Sequence, residues 1–507
     1  MPSEFPSPET RKRIQQAFDP DLLRVAGHRL IDEVSIHLKK AQQTEGKVLE
    51  WCSPEHNKSD AASWVNERIC PSNDPEALIK HFTELIKTAM NRGINLHDPR
   101  YIGHQVPPPV PLAGLMDSLG SLTNQVMAIY EMGPWATSVE SVMIDKLGMA
   151  LGWKKDTFSG LVTHGGSLAN LTGLLTARNV MLKDSWKAGL PHYNPDKSPV
   201  VVTHQDAHYS TSRSVGILGI GTSQVVKVGL DSKRHMDPNQ LETVLARLRK
   251  NGRPIVAVCA CSCATPIGAF DPLPEIAEVC RRHDVWLHVD AAHGGAAVMS
   301  PRYRHLVSGL DRADSIVWDA HKMMHVPALC AFVLYRNREH RFEAFQQDAP
   351  YLFDPTAPGQ ADYDAGMKTI ECTKRAAGFG LWGIWSLWGS QLFADLVEMT
   401  FDLASGFYEQ LMEAEDFQPL HKPECNIVVF QYIPKELEDS PLEEIGEFQL
   451  NLRRRIVESG QFYIVSTRLD GIGALRVAIM NPLTTKDHFN ALLEGIRVEG
   501  KRIINMI

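Results

Sequence analysis

Short apolar runs alternate with amphipathic segments from about residue 140 to residue 335. Several runs, such as 200–202 and 255–258, are apolar at consecutive positions, so both faces of a strand would be apolar. Strands of this kind are typical of a parallel sheet that helices cover on both sides. The predicted strands are 160–164, 199–204, 224–229, 254–260, 285–290, 315–319 and 330–335, and the predicted helices between them include 167–182, 238–250 and 272–283. The pattern therefore predicts an α/β domain.

The regions on either side of this sheet have a different pattern. At the N-terminal side, Asp19-Pro20 marks a helix start, with Asp as the cap and Pro in the first helical position, and a second helix is predicted near 75–92. The C-terminal side is predicted to contain a Trp-rich helix at 378–396, strands at 426–432 and 474–480, and helices at 442–458 and 485–497. We therefore expect an N-terminal helical segment (1–95), a large domain (96–385) and a small α+β domain (386–507).

Composition narrows the class of protein. The chain has 507 residues, of which 44% are hydrophobic and 22% charged, the balance of a soluble globular protein. A net charge of −8 argues against a nucleic-acid partner. Nine cysteines without a regular spacing fit a reducing compartment. No signal peptide and no apolar stretch of about 20 residues is found. We expect a cytoplasmic enzyme with no membrane partner.

Candidate chemistry lies directly after the predicted strands, where ligands of α/β sheets bind. The sequence Thr-His-Gly-Gly-Ser at 163–167 joins a strand to a helix, and Gly166 and Ser167 would present backbone N–H groups and a hydroxyl to an anion. The alternative is an ordinary turn with a Ser cap. Asp290 ends another strand, where a buried carboxylate needs a cation or a strong donor. It could instead cap the turn that follows.

Three further strand ends carry a lysine, a histidine and a threonine. Lys322 follows the 315–319 run, and burial in a closed site would lower its pKa and make the amine nucleophilic. The alternative is a solvated loop lysine. His208 and Thr265 follow the 199–204 and 254–260 runs. His321 and His325 stand four residues apart without the glutamate of a metalloprotease helix, so no metal is assigned.

Together these strand ends match the needs of pyridoxal 5′-phosphate (PLP). That cofactor needs an anion site, a group that stacks on its ring, a carboxylate for its pyridinium nitrogen and a Schiff-base lysine. The sequences GGSLANLTGLL (165–175), HVDAAHGG (288–295) and DSIVWDAHKMM (314–324) occur in that order. With them, the chain resembles the group II PLP-dependent decarboxylases, the family of glutamate, cysteine sulfinate, aromatic amino acid and diaminobutyrate decarboxylases.

The resemblance implies the fold and the roles of the site residues. The expected fold is that of the PLP-dependent transferases of the aspartate aminotransferase type, assembled as an obligate homodimer. Lys322 would hold the cofactor covalently, Asp290 would keep its ring nitrogen protonated and His208 would stack on the ring. Thr265 and Ala292 would surround the ring, and Gly166, Ser167 and His321 would contact the phosphate. Asp319 is left out of this set because a carboxylate should repel a phosphate.

The resemblance also implies a reaction. The segment around Tyr351 resembles the mobile catalytic loop of the family, and its tyrosine would protonate the carbon that has lost CO₂. A tyrosine there favours amine formation, whereas relatives with phenylalanine tend to be aldehyde synthases. His104, Gln105 and Arg476 are the candidate substrate contacts, with Arg476 near a substrate carboxylate.

The identity of the substrate is the open question at this stage. Segments such as 350–353 look closest to the glutamate and cysteine sulfinate branch, although Leu329 stands where that branch usually has glutamine. The predicted function is decarboxylation of an L-amino acid to the amine and CO₂, with a lean towards an acidic substrate. Aromatic or diamino acid decarboxylation, aldehyde synthesis, transamination and a non-catalytic scaffold are the alternatives.

Overall fold

The computed structural model describes residues 7–65, 74–190, 197–345 and 362–506. The N-terminal part is helical, and each of its helices starts with a proline that follows a capping serine or aspartate. The caps Ser7, Asp19, Ser53 and Asp74 accept a backbone N–H of the first turn. The helices are α1 (Pro8–Ala17), α2 (Pro20–Gln42), α3 (Pro54–Trp64) and α4 (Pro75–Arg92).

The middle of the chain contains the large sheet and the helices that cover it. Its strands are β1 (Val126–Met127), β2 (Ser159–Thr163), β3 (Val200–His204), β4 (Val225–Val228), β5 (Ile255–Cys261), β6 (Leu287–Asp290), β7 (Ser315–Asp319), β8 (Ala331–Tyr335) and β9 (Lys374–Arg375). Its helices are α5 (Pro111–Leu122), α6 (Pro134–Ala150), α7 (Gly166–Met181), α8 (Ser185–Ala188), α9 (Tyr209–Ile217), α10 (Pro238–Lys250), α11 (Leu273–Arg282) and α12 (Phe379–Trp388).

Seven of these strands form one sheet in the order β2-β8-β7-β6-β5-β3-β4. Only the pairs that β8 makes with β2 and β7 are antiparallel within this sheet. All residues of β3 and β5 are buried, which explains their uninterrupted apolar sequences. All seven predicted strands are confirmed, as is the α/β fold class. Because β3, β5, β6 and β7 are parallel, their carboxyl ends lie at the same edge of the sheet.

The C-terminal part is a four-stranded antiparallel sheet in the order β10-β11-β13-β12, with helices packed on it. Its elements are α13 (Gln391–Glu413), β10 (Phe417–Pro419), β11 (Ile427–Tyr432), α14 (Leu442–Ser459), β12 (Val465–Leu469), β13 (Ile472–Ala478) and α15 (Lys486–Ile504). The prediction of one Trp-rich helix over 378–396 is wrong. Gly389 has a φ of +67°, a left-handed conformation that ends α12, and α13 begins two residues later.

The two sheets are joined by polar contacts close to the carboxyl edge of the large sheet. Leu475 and Val477 on β13 point into the hydrophobic core of the C-terminal part, and Arg476 between them points to the other side. Its guanidinium donates to the Thr265 carbonyl oxygen at 2.9 Å. This confirms the predicted alternation along β13.

Within the described ranges, no helix has the length and apolar character that a membrane crossing requires.

Candidate active site

One cavity at the carboxyl edge of the large sheet brings together most of the predicted site residues. Apart from His104 and Gln105, which precede α5, each ends or follows a strand or begins the next helix, so the largely parallel sheet directs them to one place. The predicted residues that line this cavity are His104, Gln105, Gly166, Ser167, His208, Thr265, Asp290, Ala292 and Lys322. His321 and Arg476 lie next to the cavity wall without lining it, and Tyr351 lies outside the described residues.

Asp290 is held at the end of β6 by two donors. The Asn170 side chain donates through Nδ2 to Asp290 Oδ2 at 3.0 Å, and the backbone N–H of Ala292 lies 3.2 Å from Oδ1. Asn170 Oδ1 in turn accepts from His288 Nε2 at 2.8 Å. Burial lowers the pKa of His288 to about 4, so this histidine is neutral at physiological pH. The orientation of the Asp290 carboxylate is therefore fixed by a buried chain of hydrogen bonds.

His208 belongs to the same network through the hydroxyl of Ser210. His208 caps α9, and its Nδ1 lies 2.8 Å from Ser210 Oγ. Ser210 Oγ accepts from Asn170 Nδ2 at 3.2 Å, so the hydroxyl hydrogen is free to donate to His208. Burial lowers the pKa of His208, an effect that the nearby Asp290 only partly opposes. The ring is therefore neutral, with its proton on Nε2, and is oriented through Nδ1.

Lys322 faces a buried carboxylate that the sequence reasoning set aside. Its Nζ lies 3.1 Å from Oδ2 of Asp319, the last residue of β7. Burial disfavours the ammonium form, but Asp319 and Asp290 outweigh it and raise the pKa of Lys322. The prediction of a lowered pKa is wrong for the protein alone, because two carboxylates stabilise the charged amine. Lys322 nevertheless lines the cavity together with Asp290 and His208.

The start of α7 has the shape of an anion site. Gly165 precedes the helix with a φ of +116°, and no side chain of the described residues caps the free N–H groups of the first turn. A Cβ on Gly166 would lie 2.7 Å from Asp319 Oδ2, so only glycine fits between helix and carboxylate. The free N–H groups at this helix start fit the phosphate of PLP. Asp319 also lies at this helix start, where the Lys322 ammonium balances the negative charge of its carboxylate.

His321 has its own backbone partner beside this site. Its Nδ1 lies 2.9 Å from the carbonyl oxygen of Cys330 at the start of β8, and its Nε2 lies 3.6 Å from Asp319 Oδ2. The side chain is therefore oriented by β8, next to the start of α7. His325, its neighbour four residues on, turns away and bonds the Pro108 carbonyl oxygen through Nδ1 at 3.0 Å.

Arg476 lies behind the candidate substrate contacts. It donates to Gln105 Oε1 at 3.1 Å and to the carbonyl oxygens of Thr265 and Pro266 at 2.9 and 3.2 Å. All three acceptors are neutral, and only 5% of the residue surface is exposed. Burial lowers the pKa of Arg476 to about 10, so the guanidinium remains charged at physiological pH. Burial and this neighbouring cation both lower the pKa of His104.

Three residues of the site were missed or discarded in the sequence reasoning. Asn170 lies inside the quoted sequence 165–175 and His288 begins the quoted sequence 288–295, but neither follows a strand end. Asp319 is the last residue of β7, and its charge alone leaves it out of the predicted set. A polar residue on the buried face of a predicted helix, such as Asn170 on α7, is the signal that could have found the network.

The fold and this site define a PLP-dependent enzyme of the aminotransferase-like fold. A mostly parallel sheet carries a lysine, an aspartate and a histidine at one edge, beside a helix start suited to a phosphate. Residues 70–433 match the family model described as the pyridoxal-dependent decarboxylase conserved domain. The chain belongs to this family and is a PLP-dependent amino acid decarboxylase. The predicted family, cofactor and enzyme class are thereby confirmed.

Individual relatives agree with this assignment. The chain is 30% identical over 473 residues to the acidic amino acid decarboxylase GADL1 of Homo sapiens, covering 91% of this chain and 88% of the relative. The crystal structure of mouse CSAD has a TM-score of 0.84 at 26% identity, with 95% and 98% of the two chains covered. TDC of Oryza sativa with PLP and tryptamine also has a TM-score of 0.84, at 21% identity, covering 96% and 99% of the two chains. That last likeness shows the fold alone.

Proposed function

We propose that this decarboxylase acts on an acidic L-amino acid and releases the amine and CO₂. The observation that carries the proposal is Arg476, a buried guanidinium whose acceptors are all neutral. A buried cation without an anionic partner favours a ligand that brings a negative charge. Relatives point the same way, since GADL1 at 30% identity is named an acidic amino acid decarboxylase.

Gln105 is the proposed link between Arg476 and the substrate. Its Oε1 accepts from Arg476, so Nε2 is the part of the amide left to donate into the cavity. Thr265 is held by the same guanidinium nitrogen, Nη2, through its carbonyl oxygen. Arg476 therefore orients Gln105 and Thr265 and makes the electrostatic potential at this side of the cavity more positive. His104 is the third residue of the proposed substrate-binding group.

The remaining residues are proposed to hold the cofactor and move protons. PLP supplies an electron sink for the bonding pair left when CO₂ departs. Lys322 would hold the cofactor aldehyde carbon, Asp290 would face the ring nitrogen and His208 the ring, with Ala292 and Thr265 at its edges. Gly166, Ser167 and His321 would hold the phosphate. Tyr351 would return a proton to the substrate carbon.

Asp290 has a chemical task that its fixed orientation serves. A carboxylate beside the ring nitrogen keeps that nitrogen protonated, which strengthens the electron sink. Asn170 and the Ala292 N–H occupy other lone pairs of Asp290, so the carboxylate cannot rotate away. His208 covers the site from the α9 side as a neutral ring and adds no charge of its own.

Arg476→Gln tests the choice of substrate class. The variant removes the buried cation but keeps a side chain that can bond Gln105. We expect kcat/KM for glutamate, aspartate and cysteine sulfinate to fall about tenfold to hundredfold, the value of a hydrogen bond to a charged group. The low activity on aromatic and diamino acids should not change. Equal losses for all three substrate classes, or wild-type preference for aromatic acids, would remove the acidic assignment.

Amine formation is proposed over its oxidative alternatives. Tyr351 is the proton donor in this proposal, so in the presence of O₂ as the oxidant Tyr351→Phe should shift the products from amine towards aldehyde, ammonia and H₂O₂. Aldehyde released by the wild-type enzyme would favour aldehyde synthase activity instead. A keto acid formed by the wild-type enzyme in the presence of an amino-group acceptor would favour transaminase activity.

Assembly, domain boundaries and location are also proposals. We keep the division into 1–95, 96–385 and 386–507, and propose a homodimer with cytoplasmic location. Exposed apolar side chains on the adjoining helices α5 and α12 support the dimer, among them Leu115, Leu119 and Leu387 at 46%, 46% and 59% exposure.

Free cysteines, such as Cys263 and Cys425 with sulfurs 3.9 Å apart, support a reducing location.

A further inference from the structure

Three buried side chains converge beside the active-site cavity and have no part in the proposed reaction. Cys263 follows β5, His293 follows β6 and Cys425 precedes β11, so two come from the large sheet and one from the C-terminal sheet. Their residues are 7%, 3% and 2% exposed. The Sγ atoms of Cys263 and Cys425 are 3.9 Å apart, and all three potential ligand atoms lie within 4.8 Å of one another.

The tautomer of His293 is fixed by its outer partner. Nε2 lies 2.7 Å from Asn426 Oδ1, an atom that can only accept, so the ring hydrogen is on Nε2. Asn426 cannot reverse this, because its Nδ2 donates to the Ile479 carbonyl oxygen at 3.1 Å. Nδ1 therefore carries a bare lone pair. It is buried and has no hydrogen-bond partner among the described residues, a costly arrangement unless a ligand binds it.

The 3.9 Å separation of the two sulfurs suits a tetrahedral metal ion better than a covalent pairing. A disulfide needs sulfurs about 2.05 Å apart, far closer than these. In a tetrahedral zinc site with Zn–S bonds of about 2.3 Å, the two sulfurs are separated by roughly 3.8 Å. Zinc-bound histidine donates its other ring N–H to an amide or carboxylate oxygen, as His293 does here.

We propose that Cys263, His293 and Cys425 bind one thiophilic metal ion, with Zn²⁺ as the preferred ion. The ion would replace the two thiol protons, so that two thiolates and one neutral imidazole balance its charge. Cys263 and His293 also line the active-site cavity, so the fourth coordination position opens towards it. The bound ion would join the large sheet to the C-terminal sheet behind the cofactor. This site is independent of the proposed substrate.

Cobalt spectroscopy of the holoenzyme tests the site directly. Reduced, chelator-treated protein is titrated with Co²⁺ without oxygen, and absorbance is followed in the red region, where PLP does not absorb. We expect intense tetrahedral Co²⁺ bands that saturate at one ion per chain and vanish when Zn²⁺ is added. Cys425→Ser should abolish them. The matched control is Cys280→Ser, which alters another buried free cysteine, on α11.

Two further measurements keep the result decisive if a variant folds poorly. Zinc-edge X-ray absorption of the wild-type holoenzyme should show two sulfur ligands at about 2.3 Å and a nitrogen at about 2.0 Å. Zn²⁺ should raise the Tm of the wild type and of Cys280→Ser, but not of Cys425→Ser. The proposal is overturned by octahedral Co²⁺ spectra, by bands that survive in Cys425→Ser, or by zinc bound without sulfur.

Discussion

At the scale of single residues, Asn170 connects Asp290 and, through Ser210, His208, the two groups proposed to face the cofactor ring. Its amide donates to Asp290 and to Ser210, and its oxygen accepts from His288. Every hydrogen-bonding position of the side chain except one oxygen lone pair is used, so the network has one arrangement. A neutral His288 at the far end means that Asp290 meets dipoles, rather than a protein cation, along this chain. The negative charge of Asp290 would therefore remain available to the ring nitrogen of the cofactor.

Asn170→Ala is expected to weaken cofactor binding. The change removes a hydrogen bond to a charged group, worth about 1.5–3 kcal/mol, so the Kd for PLP should rise about tenfold to hundredfold. The measurement is PLP titration of the cofactor-free enzyme followed by absorbance. Thr172→Ala on the same helix is the control, because the one bond of that hydroxyl among the described residues is to the Leu168 carbonyl oxygen. Equal affinity in both variants would contradict the positioning role.

Asp319→Asn tests the cause of the raised Lys322 pKa. Only the neutral amine attacks the cofactor aldehyde, and it predominates above the pKa. Asp319 lies 3.1 Å from Nζ and raises that pKa. Removing the charge lowers the pKa, so cofactor capture by the variant should extend to lower pH than in the wild type. Stopped-flow capture rates across pH measure this.

The exposed Asp311→Asn serves as the control for charge removal elsewhere. A capture profile for Asp319→Asn that stays in place, or moves to higher pH, would show that Asp319 does not set the Lys322 pKa. Lys322→Ala should capture no cofactor at any pH.

At the scale of elements, the sheet could be predicted from the sequence because burial dictates it. β3 and β5 are covered on both faces, and their apolar runs end where the polar site residues begin. The end of α12 was missed because a hydrophobic pattern continues past Gly389, and only the left-handed backbone there shows the break. The Asn170 network was missed for a different reason. It joins side chains from α7, β6 and α9, and such contacts are set by tertiary packing.

Gly166→Ala tests the close approach of α7 to β7. The added Cβ would lie 2.7 Å from Asp319 Oδ2, so helix or carboxylate must move. Overpacking of this kind costs about 1–3 kcal/mol, and we expect that loss in the free energy of unfolding together with weaker PLP binding. Urea unfolding and PLP titration are the measurements.

Gly406→Ala is the matched control, since a Cβ there meets nothing within 4 Å and the residue lies in α13. It should gain about 0.5–1 kcal/mol through helix propensity and bind PLP normally. If Gly166→Ala has the same free energy of unfolding and PLP affinity as Gly406→Ala, the start of α7 can accommodate a Cβ and the proposed steric conflict is contradicted.

At the scale of the whole molecule, the site depends on the meeting of two sheets. Arg476 comes from the C-terminal sheet and orients residues of the large domain, while His293 of the large sheet bonds Asn426 beside β11. The proposed substrate choice and the proposed metal site therefore both depend on this junction. The exposed apolar residues of α5 and α12 lie on a further surface, which points to assembly beyond one chain.

Light scattering should give twice the 56.6 kDa mass of one chain. Leu115→Glu combined with Leu119→Glu places charge on the exposed face of α5 and should shift the mass towards one chain. Met412→Glu, at an exposed position on α13, is the control and should leave the dimer intact. A wild-type mass of one chain, or a dimer unaffected by the α5 changes, would contradict the proposed interface.

The central claim is decarboxylation of acidic amino acids, and one competition assay tests it most directly. Holoenzyme is incubated with an equimolar mixture of glutamate, aspartate, cysteine sulfinate, aromatic amino acids and diaminobutyrate, and all products are measured together by mass spectrometry. Amines of the acidic substrates are expected to form first, with one CO₂ per amine and no aldehyde. Amines of the aromatic or diamino acids as the first products, or aldehydes in place of amines, would contradict it.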